Sequence, residues 1–158
     1  KALLIEMNDS IGPLHERTLE VRNMRAYILE DLGKINEAEN LYRSTLAAYA
    51  EKGIVKGPEL FTLQNNLAML LMNKGDLTES HKIFSQLLDN VTELLGKEHI
   101  YYDIFVCNFG ELLLKQKEFA KAKPLLQKSY EKLAATFGEN HNRTLKAQKR
   151  LEQLENSE

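Results

Sequence analysis

A single offset of 42 residues organises this chain and restricts it to repeat architectures. Gly96 and Gly138 stand one step apart, and Gly12 lies two steps before Gly96 with Ile54 at the position between. His15, Gly57, His99 and His141 keep the same spacing, as do Gly33, Gly75 and Lys117, then Ala26, Ala68 and Gly110, then Ala38, Ser80 and Ala122. No column needs a gap. A fixed period of this size marks stacked supersecondary units, each unable to bury its apolar face alone.

Within each period the apolar residues recur at helical spacing in two blocks around a short polar turn. In the second period Leu63, Leu67, Leu70 and Leu71 form one stripe, Asn73-Lys74-Gly75-Asp76 the turn, and Ile83, Phe84, Leu87, Leu88, Val91 and Leu95 the other. Each unit is therefore a helical hairpin, which makes the fold class all-α, a solenoid of antiparallel hairpins. The patterning predicts first helices at 16–32, 59–73, 101–115 and 142–156 and second helices at 35–52, 77–95 and 119–137. Ala26, Ala68 and Gly110 on the first helices, with Ala38, Ser80 and Ala122 on the second, are small enough to let paired helices approach closely. Tyr42, Phe84 and Leu126 follow four residues later and fill the space beside them.

The expected organisation is one domain over 1–158: the remnant of a second helix at 1–10, repeats at about 15–56, 57–98 and 99–140, and a capping helix at 141–158. Lys1 rather than Met at the first position, followed by Ala2-Leu3-Leu4-Ile5, reads as a chain excised from something longer. Lys146, Lys149, Arg150, Glu152 and Glu155 are expected on the outer side of the last helix, as suits the open end of a solenoid. Lys117 stands where Gly33 and Gly75 mark turns, at a cost in turn propensity. Pro124 falls in the second turn of a helix, where a mild bend is expected.

Thr62-Leu63-Gln64-Asn65-Asn66-Leu67-Ala68, Gly33-Lys34-Ile35-Asn36-Glu37-Ala38-Glu39-Asn40-Leu41-Tyr42 and the connectors Leu95-Gly96-Lys97-Glu98-His99 and Phe137-Gly138-Glu139-Asn140-His141 resemble the tetratricopeptide repeat family. The resemblance is to its 42-residue, kinesin-light-chain-like branch and covers nearly the whole chain. It implies a right-handed α-α superhelix whose concave groove binds a protein or peptide, with no catalytic activity and no cofactor.

Chemistry has little footing in the residues themselves. His15, His99 and His141 are a whole repeat apart, and one ion with zinc–nitrogen bonds of about 2 Å cannot gather them; they read as helix openers that cap. Cys107 lacks a base and an orienting partner in its own layer. Gly12-Pro13 and Gly57-Pro58 are helix-start punctuation and not phosphate loops. The 21 basic against 23 acidic side chains supply no bulk field for nucleic acid or an anionic membrane, and no stretch approaches the roughly 20 apolar residues of a membrane span. One cysteine fits a reducing compartment, with the cytoplasm as the expected location.

First helices line the groove in tetratricopeptide arrays, so outward positions are counted from the small-residue column: three before, one after and four after. These are Asn23, Tyr27 and Glu30; Asn65, Met69 and Met72; Cys107, Glu111 and Leu114; and Lys149. The column two before the small one adds Asn66, Asn108 and Arg150. The expected partner-binding residues are Asn23, Tyr27, Asn65, Asn66, Met69, Asn108, Glu111, Lys149 and Arg150. An asparagine amide both donates and accepts, and can clamp the backbone of an extended peptide; equally, Asn65, Asn66 and Asn108 could bond across to neighbouring helices and hold the stack together. Chaperone-tail binding is disfavoured, because only Lys146 and Arg150, with Asn108, match part of the carboxylate clamp of Hsp70/Hsp90-type repeats. Two other readings stand beside partner binding: self-association into a homo-oligomer through the open ends, and service as an accessory domain of a larger enzyme such as a signalling kinase.

Overall fold

The computed structural model describes residues 12–157, and the expected remnant helix at 1–10 lies outside them. Seven helices run through the described residues: α1 Glu16–Asp31, α2 Ile35–Glu51, α3 Pro58–Lys74, α4 Leu77–Leu95, α5 Ile100–Lys115, α6 Phe119–Phe137 and α7 Asn142–Glu155. The predicted bounds agree with these to within one residue at each end. The chain divides into two compact units, Lys1–Lys74 and Gly75–Glu158.

Local chemistry explains where the helices start and stop. The Nδ1 atoms of His15, His99 and His141 accept the backbone N–H two residues on, from Arg17 at 3.3 Å, Tyr101 at 3.2 Å and Arg143 at 3.2 Å. Each imidazole thus satisfies one of the orphan donors of a helix N-terminus. Where the column has Gly57 instead, Pro58 opens α3, a position at which its missing N–H costs nothing. Asp76 caps α4 by accepting the Glu79 N–H at 3.1 Å.

The turn after α5 has to pass through the left-handed region. Gly33 does so at φ 72° and Gly75 at φ 92°, and Lys117 follows at φ 60° in spite of its Cβ. Its N–H reaches Leu114 O at 2.9 Å and the Glu118 N–H reaches Leu113 O at 2.8 Å, closing the helix C-terminus. α6 continues through Pro124 to Phe137.

In the first unit α1, α2 and α3 close over Leu19, Ala26, Ala38, Tyr42, Phe61 and Leu63, all fully buried. Lys74 pairs with Glu39 of α2, which Arg43 also meets at 2.9 Å; the Lys74 bond, foremost, holds the Glu39 carboxyl below its ordinary range. In the second unit Ala122, Leu126, Leu133, Ala147 and Leu154 form one buried cluster with Cys107 and Leu113. Gly110 lies against Leu126 so closely that a Cβ there would fall 2.5 Å from Leu126 Cδ2. His81 of α4 meets Gln116, the residue just past α5, at 3.0 Å and packs edge-on against Phe109. Glu39–Lys74 and His81–Gln116 occupy the same register one period apart, so equivalent contacts are made by different chemistry.

Candidate functional site

In the first unit the expected groove residues come from α1 and α3, placed side by side by the hairpins. The Asn66 amide donates to Asn23 Oδ1 at 3.2 Å, and the Asn65 amide donates to Asn66 Oδ1 at 3.4 Å. This chain of amides crosses from one first helix to the next, and all three side chains remain half-buried. Part of their capacity therefore holds the stack, as the alternative reading allowed. Tyr27 is 54% exposed and Met69 half-buried. Met72, expected outward, is instead buried at 1% exposure; the flexible thioether gains by leaving water, whereas the charged Glu30 at the same register stays half-exposed. Burial nonetheless raises the Glu30 carboxyl, opposed by a bond donated by Tyr42 at 3.5 Å.

In the second unit α5 and α7 carry the corresponding positions. Arg150, expected on the outer side of the last helix, turns inward and is 8% exposed. Its Nε donates to Glu111 Oε2 at 2.8 Å, its Nη2 pairs with the same oxygen, and its Nη1 lies 3.0 Å from Cys107 Sγ. The physical reason is pairing: a guanidinium tolerates burial when a carboxylate meets it with good geometry. Cys107, also expected outward, lies beneath this pair at 2% exposure. Burial, the larger influence, pushes its thiol up, while Arg150 draws it down. Asn108 and Glu111 are half-buried and Lys149 is exposed. A cleft of about 360 Å³ opens beside Glu111, with Leu114, Lys115, Phe119 and Gln153 in its walls.

Asn23–Asn66 and Cys107–Arg150 are the same contact two periods apart, each joining a first helix to the next one. The expected residues thus fall into two sets, Asn23, Tyr27, Asn65, Asn66 and Met69 in one unit and Asn108, Glu111, Lys149 and Arg150 in the other.

Asp103 escaped the sequence reading. It is 2% exposed at the register of Leu19 and Phe61, and its Oδ2 is buried without a hydrogen-bond partner. Burial is the main cause raising its carboxyl above the ordinary range. A charged residue at the register that Leu19 and Phe61 fill with core apolar side chains was the available signal.

The Tetratricopeptide repeat family matches residues 18–52 and 59–131. Over 125 residues the chain is 24% identical to a Drosophila melanogaster protein named Tetratricopeptide repeat protein 19 homolog, mitochondrial, a match covering 75% of this chain and 34% of that protein. The chain therefore spans about a third of this relative's length. Among solved structures, the kinesin light chain nearly identical TPR-like repeats of Podosopora anserina match at TM-score 0.75 and 18% identity, covering 99% of this chain and 74% of that one; a variant of the same protein gives 0.77 with the same identity and coverage. BtubC (BKLC) from P. vanneervenii matches at TM-score 0.71 and 16% identity, covering 88% of this chain and 59% of that one. At these identities the likeness shows the fold, an all-α tandem array of helical hairpins.

Proposed function

The chain belongs to the tetratricopeptide repeat family, whose repeats generally mediate protein–protein interaction, and from that premise we propose that it is a non-catalytic module that takes a peptide or protein segment on the first-helix face. The observation that carries this reading is the amide chain Asn65–Asn66–Asn23, half-exposed on adjacent helices of one unit. Amides fixed by one another are oriented in advance, so a peptide backbone meeting them loses less entropy on binding. Tyr27 and Met69 beside them offer an aromatic and a pliable apolar contact for a side-chain anchor. In the second unit Asn108, Glu111 and Lys149 are the proposed contacts, and Arg150 serves by holding Glu111 in place.

A reducing compartment, the cytoplasm first, is the proposed setting, resting on the single free cysteine. The experiment is a selection of peptides from a displayed library on the intact chain, followed by titration of the selected peptides against Asn65→Ala/Asn66→Ala. The double variant should keep its helical circular dichroism and lose at least tenfold in affinity. Peptides that bind it as well as the parent chain would remove the amide face from consideration.

A further inference from the structure

Asp103 sits in the first turn of α5 at a register that Leu19 and Phe61 fill with apolar core. Its carboxyl has lost almost all contact with water, and one of its oxygens has no hydrogen-bond partner. A carboxylate in that condition pays for burial without full compensation. The charged groups acting on it are Lys132 and Lys128 of α6 and Glu98 of the connector before α5; no charged side chain of α4 or α7 figures among them. Lys132 is paired with Glu98, whose side chain is 83% exposed. An ion pair as open as that contributes little, so the ammonium can be drawn away by a second, buried carboxylate.

We propose that Asp103 is a proton-operated latch on the α5–α6 hairpin. With its proton on, Asp103 rests neutral in the core and Lys132 stays with Glu98. When the proton leaves, the buried carboxylate draws Lys132 from Glu98, and the first turn of α5 loosens toward water to relieve the charge. The sign follows from burial: a carboxyl held above its unfolded value favours the fold most below the ordinary carboxylate range, and that contribution is lost as pH rises through the folded value. Asp103 and Lys132 thus couple one hairpin of the array to proton concentration, without a ligand.

The test is thermal unfolding of the whole chain from about pH 4 to about pH 8, a window spanning the ordinary carboxylate range and the region above it. Asp103→Asn should melt higher than the parent at the upper end, by about 3–6 °C for each tenfold change in the unfolding constant, with the gap closing toward the lower end. Asp103→Leu, which restores the residue type of its register, should show the same pH-dependent part on top of a constant gain. Lys132→Gln should lose more at the upper end than at the lower, since the ionised carboxylate then keeps only Lys128 as a nearby cation. A constant offset between Asp103→Asn and the parent at every pH overturns the latch. So does an Asp103→Asn chain that melts lower at the upper end, for the carboxylate would then be held by bonds the fold requires.

Discussion

Replacing Gly110 by alanine sets two effects of known sign against each other. In the middle of α5 alanine is the better helix former, by about 1 kcal/mol. The new methyl, however, would stand 2.5 Å from Leu126 Cδ2 and 2.7 Å from its Cγ, whereas carbon atoms pack comfortably at about 3.5–4.0 Å. An overlap of about 1 Å with a branched carbon cannot be relieved by turning the end of a flexible chain, and Leu126 is fully buried. Overpacking of this kind costs about 1–3 kcal/mol, so the net expectation is a loss of about 1 kcal/mol, or about 2–4 °C in melting temperature. The informative measurement is the cycle with Leu126→Ala, by urea titration. Leu126→Ala alone should cost about 2–5 kcal/mol, and in that background Gly110→Ala should reverse sign and stabilise by about 1 kcal/mol, because only the helix-propensity effect remains. A Gly110→Ala that stabilises the parent chain, or has one sign in both backgrounds, would refute the reasoning from close approach.

Lys117→Gly should stabilise by about 0.5–1 kcal/mol by relieving the left-handed conformation at φ 60°; equal or lower denaturation midpoints would contradict it. Arg150→Met keeps the aliphatic stem but strips Glu111 and Cys107 of their partner, costing about 1–3 kcal/mol, with amide exchange expected to accelerate first in α7. In Tyr49, 4% exposed, burial is the leading cause that pushes the phenol up to about 12. A buried acid raised in this way favours the fold below its unfolded value, near 10, and loses that contribution as pH climbs toward the folded one; Tyr49→Phe should therefore flatten the fall in melting temperature over that alkaline stretch, and an unchanged slope would count against it.

The helices were legible because several independent signals coincide at each end. A capping histidine, a glycine turn and the onset of an apolar stripe all place the start of α5 and α7, so one weak signal never had to decide. The hairpin seam was legible through size alone, with Gly110 opposite Leu126. The direction of individual polar side chains was not. Arg150 lies at a register that could face either water or the neighbouring helix, and what turned it inward is Glu111, 39 positions away in sequence. Met72 and Cys107 moved inward because both are apolar enough to profit from burial, whatever the helical count says about their direction. Asp103 could have been found by reading its column, since Leu19 and Phe61 announce a buried position and a carboxylate there demands an explanation.

Hairpins in this chain are not interchangeable parts. After α5, the following first helix can place arginine at its seam because Cys107 and Glu111 receive it. After α1, where Asn23 and Tyr27 hold those positions, the same arginine would lie against an amide and a phenol. Asparagine at Asn66 is matched in turn to the amide of Asn23. Each unit therefore carries an address that its predecessor must recognise, and an array lengthened by copying a hairpin would have to rewrite the side chains on both sides of the insertion.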